Sequence, residues 1–303
     1  MANYDLRQIN SLIENDAKGF IEECERAYRF QLFKITEGIE KEEGRVLVML
    51  AGPSSSGKTT TAKLLKQNLI SKGRKASVIS LDDFYLIQDE PHTFEDGTVD
   101  FERVEALDIP LIYTCLHELM SKGESELPKF CFHKKERSGF EKMQISADEI
   151  VIVEGLHALN PVITEPLSDE KMIKLYVSVS SRITEGERVL LTKRDLRFIR
   201  RMIRDYRHRS SDVEYTFYLW KGVRMGEDRY LFPYSGNADV KIDSIHPYEV
   251  SLFKKNATEL LDRVAQDSVY YKTADELKAK LERFVALDED VMPSDSLLGE
   301  FIG

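Results

Sequence analysis

The chain has 303 residues, with 43 Lys and Arg against 53 Asp and Glu, a formal net charge of −10. That balance excludes a generally basic nucleic-acid coat, and 42% hydrophobic residues exclude a disordered chain and supply core for one elaborated domain or two. Cys24, Cys115 and Cys131 form neither a CxxC pair nor a regular spacing with His, so no disulfide framework or zinc site is implied. The N-terminus MANYDLRQIN has no basic segment leading into an apolar one. The longest apolar runs, such as 46–51, fall short of the ~18 residues a bilayer span needs. The expectation is a cytoplasmic protein with no membrane partner.

Residues 4–35 place Leu6, Ile9, Leu12, Ile13, Phe20, Ile21, Cys24, Tyr28, Leu32 and Ile35 mostly at three- and four-residue spacings, the period of an amphipathic helix. This helical extension ends in the charged stretch 37–45, with Gly38 and Gly44 as breakers. The run 46–51, VLVMLA, reads as a strand covered on both faces, and similar runs occur at 76–80, 150–153, 173–179 and 239–242. Helical patterns at 59–70, 104–120 and 183–206 alternate with them, which predicts an α/β fold with a doubly wound parallel sheet flanked by helices. Residues 251–265 and 273–285 read as C-terminal helices, followed by an acidic tail, 286–303, whose docking the sequence leaves open. The expected division is a helical extension over 1–43, a core over 44–248 and C-terminal helices with the tail over 249–303.

Directly after the first strand, Gly52-Pro53-Ser54-Ser55-Ser56-Gly57-Lys58-Thr59 fits GxxxxGK[ST], with Thr60 continuing into a predicted helix. Small residues at Gly52 and Gly57 let successive backbone N–H groups turn inward around a phosphate, with the helix N-terminus adding positive potential. Lys58 supplies a point charge to the β- and γ-oxygens, and the Thr59 hydroxyl is placed to ligate Mg²⁺. The bland alternative, a Gly/Ser-rich turn, does not require this strand-to-helix context.

Chemistry in a doubly wound sheet collects at the carboxyl ends of the strands. The run 76–80 ends in Leu81-Asp82-Asp83-Phe84-Tyr85, and 150–153 ends in Glu154-Gly155. Asp82, ionised at neutral pH, can orient a hydroxyl and take up its proton, and it joins Thr59 and Glu154 as a metal-side oxygen. Asp83 competes for that role, and an N-cap is the plain structural alternative for Asp82.

The stretch 182–209 holds ten Arg and Lys against four Asp and Glu. A basic segment inside an acidic body suggests one local anionic ligand. Its arginines at 197, 200, 201, 204 and 207 fall largely on one side of a helix, opposite Leu196, Ile199, Met202, Ile203 and Tyr206. Asp195 and Asp205 can pair locally but are too few to neutralise the face. A nucleic-acid surface would need a longer cationic footprint, so no nucleic-acid partner is expected.

Taken together, GPSSSGKTT, SLDDFY, DFERVEALD, VEGLHAL, RRMIRDYRHR and NADVKI resemble, in order and spacing, the motifs of the uridine kinase/phosphoribulokinase family of P-loop kinases over roughly 45–245. The resemblance implies a P-loop NTPase fold and phosphorylation of a small hydroxyl acceptor by ATP or GTP with Mg²⁺; in the nucleoside kinases the acceptor is the ribose 5′-hydroxyl. It places Asp82 on the catalytic Asp and Tyr85 on the substrate-side Tyr. Glu102, or its neighbour Asp100, falls on the acid that holds ribose hydroxyls. Arg200, Arg201, Arg204 and Arg209 fall in a lid over the donor phosphates, about 182–212, with Arg201 and Arg204 as its catalytic cations. In the segment Phe130-Cys131-Phe132-His133-Lys134-Lys135-Glu136-Arg137, Arg137 is kept, while Phe130 and Lys135 replace the family's base-contacting Tyr and His. That departure leaves the acceptor base open, with Phe130 and Phe132 as candidate pocket residues and His133 as a register-shifted substitute. The resemblance leaves a homo-oligomer open as well. The competing expectations are a kinase for a phosphosugar or other metabolite, and a nucleotide-dependent switch without an acceptor.

Overall fold

The computed structural model describes residues 3–87, 92–131, 134 and 136–303. A short strand, β1 (Asn3–Asp5), leads into α1 (Leu6–Ile39), capped where Asp5 accepts from the Arg7 and Gln8 amides and kinked at Asp16. Then come β2 (Val46–Ala51), α2 (Lys58–Ser71), β3 (Ala76–Ser80), α3 (Ile109–Lys122), β4 (Glu124–Cys131), β5 (Glu136–Gln144), β6 (Ile150–Glu154) and α4 (Pro161–Thr164). The chain continues through β7 (Met172–Ser178), β8 (Arg182–Glu185), β9 (Arg188–Leu191), α5 (Lys193–Arg209), α6 (Val213–Tyr230) and β10 (Val240–Asp243). It closes with α7 (Glu249–Leu261), α8 (Tyr271–Leu281) and α9 (Gly299–Ile302).

The main sheet has five parallel strands in the order β10-β7-β2-β6-β3. β2 lies at its centre, so both faces of its apolar run are covered. Val46, Val48 and Leu50 face a core shared with α1, α2, α5 and the C-terminal helices. Leu47, Met49 and Ala51 face a second core built with α3 and the segment after β6. Full burial of each such aliphatic side chain is worth about 1.5–3 kcal/mol. The register pairs Leu50 and Ser80 with Glu154, which brings the ends of β2, β3 and β6 to one edge.

Three expectations change. The helical pattern expected over 183–206 is a hairpin, β8 and β9, turning at Gly186 (φ 57), with the helix beginning only at Lys193. The β-branched Ile183, Thr184 and Val189 suit a strand, β1 pairs with β8, and a Thr192–Asp195 capping box starts α5. The pattern over 104–120 likewise resolves into a 3-10 turn at Val104–Ala106 and then α3, started by the Asp108 cap with Pro110 in its first turn. The β4–β5 hairpin was not anticipated, because β5 is almost entirely exposed and carries no apolar alternation.

The terminal segments join the same core. Leu297, Leu298 and Phe301 of the tail are fully buried. Glu25 of α1, also buried, accepts from Tyr248 Oη (2.6 Å) and Ser296 Oγ (2.5 Å) and lies 3.6 Å from His246 Nε2. Burial works against its charge, but the neighbouring His246 ring and the two hydroxyls prevail and hold its carboxyl at about 2. Because the folded value lies below the ordinary 4.5, the ionised group contributes stability that is present above pH 4.5 and lost as pH falls toward 2. Urea unfolding of wild type and Glu25→Gln should therefore show a gap at pH 6 that narrows progressively between pH 4.5 and 2; a gap independent of pH would contradict this.

Candidate active site

The loop joining β2 to α2 has the shape its composition suggests. A Cβ on Gly52 would lie 2.2 Å from the Val177 carbonyl oxygen, and Gly57 sits at φ 84, so neither position accepts a side chain without displacement. Ser55 is held at φ 59, a strained conformation for a serine. The buried Ser55 and Ser56 hydroxyls have no hydrogen-bond partner among the described residues. Lys58 Nζ curls back onto the Pro53 carbonyl (3.3 Å). A cradle with unsatisfied donors and an internally parked lysine is suited to an incoming anion.

The strand register gathers the oxygens. Thr59 Oγ1 (3.2 Å) and Ser80 Oγ (2.9 Å) both donate to Glu154 Oε1. Burial, with Asp82 nearby, raises the Glu154 carboxyl above its ordinary value despite Lys58. Asp82 opens onto the cleft from the 3-10 turn Leu81–Phe84, its backbone N–H tied to Ser80 Oγ. The cleft walls raise its carboxyl, while Lys58, Arg209 and Arg204 act in the opposite sense. Its neighbour Asp83 is committed elsewhere, accepting from Lys129 Nζ (3.1 Å) and the Phe130 amide (3.2 Å), which fastens the hairpin to the site. The hydroxyl of Thr59 and the carboxylates of Glu154 and Asp82 are hard oxygen donors of the kind a small divalent cation takes.

The arginine helix departs from expectation. Arg200 does not face the cleft: it is fully buried, pairs with Glu249 (2.5 Å) and donates to the Ser244 carbonyl (2.7 Å). It reaches only the back of the loop, at the Ser55 carbonyl (3.4 Å). Arg197 is equally buried and forms a two-pronged pair with Glu227 (2.6 and 2.8 Å). The basic face is thus neutralised in part by acids of α6 and α7, beyond the reach of local sequence reading. Arg201 donates to Ser54 Oγ (2.7 Å), while Arg204 and Arg209 pair with Asp205 and lie where they act on the Asp82 charge. These three arginines of α5 lie near the cleft together with Lys58. Glu227, which sequence reasoning missed, also accepts from the Ser54 amide (2.8 Å); as one of three acids on α6 it gave no local signal.

On the other wall, Asp100 is occupied, accepting from Tyr230 Oη (2.7 Å) and the Glu102 amide (3.2 Å). Glu102 packs on Gly226, where a Cβ would come within 2.4 Å. Burial raises its carboxyl to about 7, against the pull of Arg201 and with Glu227 adding to the rise. Tyr85 stacks at a tilt on Phe130, ring centres 5.9 Å apart. Arg137 is held by Asp108 (2.9 Å) at the start of α3. Phe132, with His133 and Lys135, lies outside the described residues. His157, just past β6, is buried beside Tyr230, and burial lowers it to about 4, so its ring is neutral.

The family described as Phosphoribulokinase / Uridine kinase family matches residues 47–251. The uridine kinase of Lactobacillus helveticus is 27% identical over 201 residues, covering 66% of this chain and 87% of that protein. The uridine kinase of Mycoplasma genitalium is 27% identical over 235 residues, covering 77% and 98%. A solved structure described as a possible uridine kinase from Bacillus stearothermophilus superposes with a TM-score of 0.49 at 18% identity, covering 72% of this chain and 98% of that one.

Glu102 offers a ligand-free check on the site. With its folded value near 7, above the unfolded one, the group favours the folded state below pH 4.5 and loses that contribution as pH rises through 7. Carboxyl NMR should find Glu102 titrating near pH 7, and higher still in Arg201→Met. Glu102→Gln should melt above wild type at pH 8, with the difference closing below pH 4.5.

Proposed function

The chain belongs to the phosphoribulokinase / uridine kinase family, and from that premise we propose that it is a Mg²⁺-dependent kinase carrying the γ-phosphoryl of ATP or GTP to the 5′-hydroxyl of a nucleoside such as uridine or cytidine. The observation that carries the reading is the position of Asp82. It opens onto the cleft at the same sheet edge as the phosphate loop, within the fields of Lys58, Arg204 and Arg209, while Asp83 is tied to the hairpin.

In this mechanism the loop amides from Gly57 to Thr60 and Lys58 hold the donor phosphates. Asp82 accepts a hydrogen bond from the acceptor hydroxyl and takes its proton as that oxygen bonds to the γ-phosphorus and the β–γ bridging bond breaks. Its raised carboxyl makes it a better proton acceptor than an ordinary Asp. Glu102 accepts from the acceptor's neighbouring hydroxyls, and Tyr85 with Phe130 forms an apolar wall beside them. Arg201, Arg204 and Arg209 offset charge on the transferring group, a role for which a single Arg is worth roughly 10³–10⁵ in rate. Thr59 with Glu154 and Asp82 would hold Mg²⁺, which would supply charge neutralisation to the donor phosphates. The kinase unit is taken as 44–248, with 1–43 and 249–303 as braces.

The second reading is a kinase for another small hydroxyl acceptor, and it rests on Phe130, which offers a base no polar side-chain contact, and on Arg137, which Asp108 engages. A screen of nucleosides against phosphosugars, read by phosphate transfer from ATP with Mg²⁺, separates the two. Uridine- or cytidine-dependent transfer is expected, and transfer to a phosphosugar alone would replace the nucleoside reading. Asp82→Asn should lower turnover about 10²-fold or more with donor binding nearly unchanged; full activity in that variant would remove Asp82 from the mechanism.

A further inference from the structure

The first turn of α2 already holds an anion. Thr60 donates to Glu300 Oε2 twice, from its backbone N–H (3.3 Å) and from its hydroxyl (2.6 Å). Glu300 belongs to α9, at the end of the acidic tail. The tail is seated by apolar anchors: Leu297 lies against Gly57, where a Cβ would come within 2.5 Å of Leu297 Cδ1. Leu298 and Phe301 are buried, and Arg200 lies over the Phe301 ring at 5.2 Å. Arg207 donates to the Ile302 carbonyl, and Ser296 to Glu25. Glu300 itself is only half-buried, so its side chain can swing out while the anchors stay in place.

In a GxxxxGK[ST] loop, the N–H groups that open the helix receive the phosphates nearer the nucleoside end of the donor, while the lysine reaches the β- and γ-oxygens. A carboxylate and a phosphate cannot both occupy Thr60. We infer that Glu300 sets the donor affinity of this enzyme: its carboxylate competes with the donor's α-phosphate for the Thr60 N–H and hydroxyl, and must leave Thr60 when a nucleoside triphosphate binds. This inference rests on the donor reading above. It makes the end of the tail part of the donor site, and it ties donor affinity to whatever moves one side chain at the C-terminus.

The test is calorimetric titration of the full chain with a non-hydrolysable ATP analogue and Mg²⁺, without acceptor. Removing one charge-assisted competitor is expected to tighten binding about tenfold in Glu300→Ala, the scale of a charged hydrogen bond. Glu300→Gln, which keeps the shape and loses the charge, should fall between that variant and wild type. Asp295→Ala, which changes an exposed tail residue paired with Arg29, should leave affinity unchanged. Melting temperatures of the three variants separate loss of tail docking from loss of competition. Equal or weaker binding by Glu300→Ala, with its melting temperature kept, overturns the inference and leaves the donor reading intact. Failure of every form to bind the analogue overturns the donor reading and this inference with it.

Discussion

Two buried ion pairs, Arg197 with Glu227 and Arg200 with Glu249, fasten α5 to the phosphate loop, and the arrangement of the site depends on them. Each guanidinium also donates to the loop itself, Arg197 to the Ser54 carbonyl and Arg200, besides Ser244, to the Ser55 carbonyl. Glu227 closes the circuit by accepting from the Ser54 amide. Taking one partner from such a pair leaves an uncompensated buried charge and costs about 3–5 kcal/mol. The strained Ser55 is therefore held by neighbours that have little freedom to relax. A loop fixed in this way keeps its backbone conformation before any phosphate arrives, which is the form of preorganisation that electrostatic catalysis requires.

Fixing α5 also divides its arginines by role. Positions 197 and 200 face the loop's back and are buried with acids from α6 and α7; positions 201, 204 and 209 lie toward Asp82 and Glu102 and make their acid pairs chiefly with Asp205. The parallel sheet supplies the opposite side of the same cleft. Because Leu50 and Ser80 share a register with Glu154, the loop, the Asp82 turn and the Glu154 carboxylate converge without any long-range adjustment. Gly226 on α6 then lets the segment bearing Glu102 approach closely enough to form the other wall.

Much of this was legible in the residues. The five parallel strands stand out as continuous apolar runs because both faces are buried, and the phosphate loop is specified by its glycines and its place between strand and helix. Asp82 and Glu154 followed from strand ends. What the sequence did not reveal depends on partners far along the chain. Nothing near Arg200 signals Glu249, nothing near Ser54 signals Glu227, and the tail's contact with Thr60 spans 240 residues. The β8–β9 hairpin was hidden because each strand is only four residues long, too short to show a period of its own, and the ties of Asp83 to Lys129 and the Phe130 amide lie 46 and 47 residues along the chain.

The division of the arginines is the central claim, and Arg204→Ala tests it most directly. Single-turnover γ-phosphoryl transfer at saturating ATP and acceptor, measured on protein whose urea unfolding is recorded in parallel, should fall by at least about 10²-fold while unfolding stability stays within about 1 kcal/mol of wild type. Asp205 retains Arg201 and Arg209 as partners in that variant, so a structural collapse is not expected. An unchanged transfer rate, or a loss of rate accounted for by unfolding, would contradict the account.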